Sequence, residues 1–327
     1  MLSKISVVIP SFKVRDHILK VISAIGPEVS NIFIVDDACP EETGSFVALN
    51  CTDNRVKIIY NETNLGVGGA VLVGYLAAIS NGADIIVKID GDNQMDPALI
   101  PIFITPIRSG RADYTKGNRF YDLSGLSGMP YLRILGNAVL SFMTKLSAGY
   151  WSLFDPTNGY TAIHRKIVLN LPLEKISKRY FFETDMLFRL YILRAKVMDI
   201  PMHSKYGDEI SNLKISNVLG EFLLKHLKNF FKRIFYCYYL RDLSIASIEL
   251  PMGVLLFLFG IIFGIWSWMQ AFQSDISTPA GTIMLSALPT LMGLQLILSF
   301  LAYDISSTPS EAIHPILLEN RDSVQSL

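Results

Sequence analysis

Between Leu250 and Ser274 the chain carries no charged residue, and between Ile276 and Tyr303 it again carries none. The first run reads PMGVLLFLFGIIFGIWSWM from Pro251 to Met269, and TIMLSALPTLMGLQLILSFLAY fills the second from Thr282 to Tyr303. A helix rises about 1.5 Å per residue and the hydrocarbon layer is about 30 Å thick, so about 20 apolar residues cross it. The sequence therefore predicts two membrane-crossing helices forming a hairpin. Helices of a soluble core seldom avoid charge for so long. Trp266, Trp268 and Tyr303 stand where an interfacial aromatic belt would. Pro289, inside the second run, is expected to kink it.

Basic residues set the orientation. Of 29 Lys and Arg, only Arg321 lies beyond residue 250, and the connection between the runs has none. Lys225, Lys228, Lys232, Arg233 and Arg241 crowd the N-terminal side of the first run. The positive-inside rule then places the residues before 250, and the tail, on the cytoplasmic side of the cell (inner) membrane. Met1 to Pro10 reads as a strand and a turn, so no signal peptide is expected there. Cys39, Cys51 and Cys237 have no metal or disulfide spacing, which suits a reducing compartment. Residues 218–240 alternate Leu219, Leu223, Leu227, Phe230, Phe231 and Ile234 with the basic residues at helical spacing. That pattern predicts an interfacial helix holding Lys225, Lys228, Lys232 and Arg233 toward anionic headgroups. Nucleic acid is excluded as a partner, because the bases adjoin a span and no nucleic-acid motif accompanies them.

The first two hundred residues alternate strand and helix. Ile5–Ile9, Asn31–Val35, Val56–Tyr60 and Asp84–Ile89 read as buried strands, with Asp16–Ile25 and Gly68–Ser80 helical. Such alternation predicts an α/β fold with a doubly wound, mostly parallel sheet whose ligands bind at the carboxyl ends of the strands. Carboxylates stand at those ends: Asp36-Asp37 after the second strand and Asp90-Gly91-Asp92 after the fourth. Two aspartates one residue apart suit a hard cation, Mg²⁺ or Mn²⁺, shared with a diphosphate. Gly66, Gly68 and Gly69 do not make the dinucleotide-binding G-x-G-x-x-G, so Asn64–Gly69 is read as a tight turn entering a helix.

Taken together, these stretches resemble family-2 glycosyltransferases. Val8-Ile9-Pro10-Ser11-Phe12 is similar to the family's opening, Val35-Asp36-Asp37 to its base-binding strand end, Asn64-Leu65-Gly66 to its helix entry, and Asp90-Gly91-Asp92-Asn93-Gln94 to its metal motif. The resemblance covers roughly residues 4–213 and implies the GT-A fold. The two spans and basic helix are similar to those of polyprenyl-phosphate glycosyltransferases, relatives of dolichol-phosphate mannose synthase. It implies that Pro10, Phe12, Val35 and Asp37 hold the base and ribose, and that Asp90, Asp92 and Gln94 surround the metal. Phe12 stands where tyrosine is usual and Val14 where glutamate often stands, which leaves the base open. Arg119, in Gly117-Asn118-Arg119, matches the family's Gly-x-Arg and is expected on a diphosphate. Phe154-Asp155-Pro156-Thr157-Asn158-Gly159-Tyr160 resembles the acceptor-side motif and Glu183-Thr184-Asp185 the acidic motif of inverting members. Asp185 is accordingly the first candidate for the carboxylate acting on the acceptor, and Asp155 the second. Lys205 and Ser211, in a segment resembling the loop beside the acceptor phosphate, are expected phosphate contacts.

The expected organisation is a GT-A domain over residues 1–213, amphipathic juxtamembrane helices over 214–248, a transmembrane hairpin over 249–304 and a cytoplasmic tail over 305–327. The expected reaction moves one sugar from a UDP- or GDP-sugar to a polyprenyl phosphate at the bilayer, with self-association left open. Transfer to another lipid or lipid-linked saccharide, or a catalytically silent nucleotide-binding scaffold, are the alternatives.

Overall fold

Strands of a parallel sheet covered on both faces need apolar side chains on both, and Val7, Val8 and Ile9 are all fully buried. The computed structural model describes residues 3–121, 131–202 and 215–318. Its sheet has seven strands: β1 (Ile5–Ser11), β2 (Val29–Asp36), β3 (Val56–Tyr60), β4 (Ile85–Lys88), β5 (Tyr114–Asn118), β6 (Thr161–His164) and β7 (Val197–Pro201). Their spatial order is β3-β2-β1-β4-β6-β5-β7. All pairings are parallel except those of β6, which runs antiparallel to β4 and β5. Successive strands run outward from β1 through β2 to β3, whereas β4 joins the opposite side of β1. The order therefore reverses between β1 and β4, and the crevice at their carboxyl ends is the switch point where such sheets bind ligands.

The helices packed with these strands are α1 (Arg15–Ser23), α2 (Thr43–Asn50), α3 (Val67–Ser80), α4 (Ile100–Arg108), α5 (Tyr131–Ala148), α6 (Arg165–Leu169) and α7 (Phe182–Leu193). Gly74 lets α3 lie against the sheet, since a Cβ there would fall 2.3 Å from Val8 Cγ1. The core runs from α1 across the sheet to α4, where Phe103 stacks on Tyr160 at 4.0 Å.

The chain divides into two compact units, residues 1–230 with 309–327, and residues 231–308. The stretch after the hairpin thus belongs with the first unit. Asp113, fully buried, accepts the main-chain N–H groups of Ile313, His314 and Lys196 at 2.7–3.0 Å and lies 2.8 Å from His314 Nδ1. His314 also stacks on His164 at 4.2 Å. Burial depresses the His164 imidazole to about 4, helped by His314 and Lys166.

Helix α8 (Ile215–Phe235) is followed by a π-helical turn, Tyr236–Arg241. Its buried side chains include the polar His226, Asn229 and Arg233 beside Ile234. His226 lies 2.8 Å from Ser147 Oγ and Asn229 donates to Asp185, while Leu223, Leu224, Leu227, Phe231 and Phe235 are exposed. Burial also pulls His226 down to about 4. The unfolded imidazole titrates near 6.5, so between about pH 6.5 and pH 4 the unfolded chain binds the extra proton and stability falls with pH. For His226 that loss is at most about 2 kcal/mol at pH 5. The wild type is accordingly expected to lose more thermal stability between pH 7 and pH 5 than His226→Gln does. Equal losses would contradict the burial of a neutral imidazole here.

In the second unit α9 (Ile245–Gln273) and α10 (Ala280–Ser306) are long and apolar enough to cross a membrane, with only 11% of the most apolar window of each buried. A soluble core helix would be mostly covered. Small residues bring the two backbones together: a Cβ on Gly293 would lie 2.4 Å from Phe257 N. Helix α10 continues through Pro289.

One expectation is corrected here. Arg233 does not face lipid headgroups; it is 0% exposed and forks onto Asp304 at 2.5 and 3.0 Å, with Tyr238 Oη adding 2.6 Å. Lys228 and Lys232, by contrast, are exposed. Removing one member of such a buried pair costs about 3–5 kcal/mol, so a chain cut before Asp304 is expected to show a lower melting temperature than the full-length protein.

Candidate active site

Two aspartates end β2, and both are put to work by the chain itself. Asp36 accepts Cys39 N at 2.7 Å and Gly44 N at 2.6 Å. Asp37 accepts Leu65 N at 2.9 Å, Asn61 Nδ2 at 2.8 Å and Gly66 N at 2.8 Å. The Asn64–Gly66 turn is thereby folded onto Asp37, with Gly66 at φ +84° and a Cβ there only 2.7 Å from Lys178 O. Phe12, at the end of β1, is 43% exposed and Pro10 half-buried, as residues lining a cleft should be. Val35 is a second correction: its side chain is 0% exposed in the core, so only its main chain remains for a nucleobase.

The end of β4 carries the densest charge. Lys88, 1% exposed, sets its ammonium 2.9 Å from Asp90 Oδ1 and 3.3 Å from Glu183 Oε1, which α7 brings in from its first turn. Burial alone would lower the Lys88 pKa, but Asp90 and Glu183 outweigh it and hold the ammonium above its ordinary range. Burial, with repulsion from Asp90, raises Glu183 despite Lys88. Gly159 closes the cluster: a Cβ there would lie 2.4 Å from Lys88 Nζ and 2.6 Å from Asp90 Oδ2. Asp92 Oδ1 accepts Gln94 N at 3.0 Å across a turn in which Asn93 has φ +63°. Gly91 packs so tightly that a Cβ would meet Val14 Cγ2 at 2.9 Å, which fixes the spacing of the two aspartates. Asp90 and Asp92 offer hard carboxylate oxygens of the kind that suit Mg²⁺ or Mn²⁺ shared with a diphosphate, although among the described residues no three His, Cys, Asp or Glu side chains come together as a metal cluster without such a ligand.

The structure separates the remaining candidates. Asp185 is 3% exposed with both oxygens engaged, Oδ2 by Ser177 N at 2.8 Å and Oδ1 by Asn229 Nδ2 at 3.1 Å. It ties α7 to its own approach and to α8, whereas Glu183 pairs with Lys88. Asp155 is 2% exposed and paired with Arg119 at 2.7 Å. Lys205 and Ser211 lie outside the described residues. Two site lysines went unnoticed in the sequence, Lys88 and Lys116, each 1% exposed. Their signal was a lysine inside an apolar strand, since a buried ammonium must be paired.

A mostly parallel sheet with an Asp-x-Asp turn at the carboxyl end of β4, beside the β1–β4 switch point, defines a glycosyltransferase of the GT-A class. The profile of glycosyl transferase family 2 matches residues 6–171, about half of the chain. The protein belongs to that family. It is 28% identical over 195 residues to undecaprenyl-phosphate mannosyltransferase of Micrococcus luteus, covering 59% of this chain and 79% of that one. It is 29% identical over 229 residues to UDP-N-acetylglucosamine–dolichyl-phosphate N-acetylglucosaminyltransferase of Methanococcus voltae, covering 66% and 90%. Among solved structures it is similar in fold to glucosyl-3-phosphoglycerate synthase from Mycobacterium tuberculosis in complex with Mn²⁺, UDP and glucosyl-3-phosphoglycerate. That match has a TM-score of 0.52 at 17% identity and covers 71% of this chain and 80% of that one.

Proposed function

We propose that this protein is a membrane-anchored, inverting glycosyltransferase that moves one sugar from a UDP- or GDP-sugar to a polyprenyl phosphate at the cytoplasmic face. The observation that carries this reading is the Asp90–Lys88–Glu183 cluster at the switch point, in a chain whose relatives are named for transfer to polyprenyl phosphates. Pro10 and Phe12 line the nucleotide end, with the Val35 main chain beside them, and Asp37, 3% exposed, shapes that end by holding the Asn64–Gly66 turn. Asp90, Asp92 and Gln94 would hold Mg²⁺ or Mn²⁺, which supplies positive charge to the departing diphosphate. Arg119 is assigned to phosphate oxygens, as are Lys205 and Ser211.

Chemically, a phosphate oxygen of the acceptor attacks the anomeric carbon from the face opposite the leaving group. The bond to the diphosphate breaks and the diphosphate leaves with the electron pair. A phosphate monoester is already anionic at neutral pH, so the carboxylate needed here orients acceptor and sugar more than it removes a proton. Of the Glu183-Thr184-Asp185 set, that task is assigned to Glu183, because it shares Lys88 with Asp90. Lys88 offsets the charge that two carboxylates would otherwise present to an anionic acceptor. The exposed Leu223, Leu227 and Phe231 beside Lys228 and Lys232 support an interfacial lie for α8, where the headgroup of such a lipid is met. Incubating the full-length protein in nanodiscs with a panel of UDP- and GDP-sugars and undecaprenyl phosphate tests the reading. One donor is expected to give a lipid-extractable glycosyl phosphate. Turnover confined to a lipid without a phosphate, or to no lipid, would overturn it.

A further inference from the structure

Strand β5 sends Lys116 into the short turn at Phe154 and Asp155. The ammonium donates to the carbonyls of Phe154 at 2.6 Å, Asp155 at 2.7 Å and Gly117 at 3.2 Å, and pairs with Asp199 Oδ1 of β7 at 3.3 Å. Asp199 Oδ2 accepts Phe154 N at 2.8 Å and Asn118 Nδ2 at 3.2 Å. Pinned by these bonds, Asp155 adopts φ +52°, a left-handed conformation uncommon outside glycine. Its carboxylate then receives Arg119 from three directions: N at 3.1 Å and Nε at 2.7 Å on Oδ2, and Nη2 at 2.7 Å on Oδ1. Asn158 Nδ2 joins Oδ2 at 3.1 Å, in space that a Cβ on Gly117 would crowd at 2.9 Å.

Buried ions are costly, and a network kept only for packing could be replaced by apolar side chains of equal volume. Here Lys116 and Asp155 are each 1% exposed in their side chains, and Arg119, at 26%, is the most exposed of the charged members. Everything converges on the orientation of that guanidinium. We infer that Asp155 is a positioning residue: it holds the Arg119 fork in one fixed direction toward a phosphate of the substrate, and does not exchange protons with it. Burial would raise the Asp155 pKa, but the bonds and charge of Arg119, with Lys116, keep it below the usual carboxylate range, as suits a permanent anion. A guanidinium whose orientation is set in advance loses little freedom when it meets phosphate oxygens. The inference rests on the sugar transfer proposed above.

A double-mutant cycle in the full-length protein tests it, using Asp155→Asn, Arg119→Ala and the pair. Each single variant is expected to lower kcat/KM by about 10- to 100-fold, the range for charge-assisted hydrogen bonds. The pair should be no worse than Arg119→Ala alone, because Asp155 acts only through Arg119. Calorimetric affinity for UDP and GDP, against KM for undecaprenyl phosphate, tells which phosphate the fork meets: the donor's if the former weakens, the acceptor's if the latter rises. The acidic limb of the kcat–pH profile should persist in Asp155→Asn. Losses that multiply in the pair, or disappearance of that limb, would overturn the inference. Should Asp155→Asn fail to fold, Arg119→Lys takes its place: it keeps the charge without the fork, and wild-type rates in that variant would overturn the inference too. Absence of transfer by the wild type would count against the functional reading alone, and the cycle would then be read on diphosphate affinity.

Discussion

Asp92→Asn, in the full-length protein, is expected to lower sugar transfer by about 1,000-fold, equivalent to about 4 kcal/mol of activation free energy, while leaving the fold intact. Asparagine keeps an oxygen for the Gln94 N–H, so the turn that carries the residue survives. What it loses is a negative charge facing the diphosphate, and a neutral amide is a poor partner for a small divalent cation. Initial rates in Mg²⁺ and Mn²⁺, with circular dichroism and metal-dependent UDP and GDP binding on the same preparations, separate loss of the ion from loss of structure. Full activity of the variant, or wild-type transfer that persists in excess chelator, would remove the metal from this reaction.

The second large effect is expected at Glu183. Glu183→Gln should reduce kcat by about 100-fold or more, with donor affinity changed little, because a group that orients the reacting atoms matters more in the transition state than in the bound ground state. Asp185→Asn should behave differently. Its oxygens hold Ser177 N and the Asn229 side chain, so the expected result is a lower melting temperature and near-normal kcat in the folded fraction. Single-turnover rates with calorimetric donor binding decide between them. A dead Asp185→Asn beside an active Glu183→Gln would restore Asp185 as the reacting group.

Much of the architecture was legible before any coordinates. The spans were readable because absence of charge over a membrane thickness is a local property that no packing partner alters. Strands β1 to β4 were readable for a similar reason: short apolar runs bounded by turns show where chain is buried, and the aspartates at their ends show where it meets ligand. The observed β3, Val56–Tyr60, has the bounds its sequence predicts, and α3 begins one residue earlier than its pattern implies.

Choices among neighbouring side chains were not legible. Val35 lies in a strand covered on both faces, where alternation carries no information about which side chains meet a ligand. Glu183 and Asp185 are two residues apart in the first turn of α7, and at about 100° per residue they point to nearly opposite sides of the helix. Which side faces the β4 cluster depends on how α7 docks, which no local pattern states. Asp155 was placed near the chemistry by its motif, yet its bond to Arg119 depends on a backbone conformation imposed by Lys116 and Asp199 from two other strands. Arg233 shares the helical spacing of its basic neighbours and parts from them only because Asp304, remote in sequence, meets it in the interior. The sequence by itself determined the two long apolar helices, the α/β class and the carboxylates at the strand ends, all written in composition and period along the chain. The tertiary structure alone decided which carboxylate shares Lys88 with Asp90 and which basic residues of α8 stay exposed, because a charged side chain's surroundings are set by the partner that neutralises it, and those partners come from distant parts of the chain.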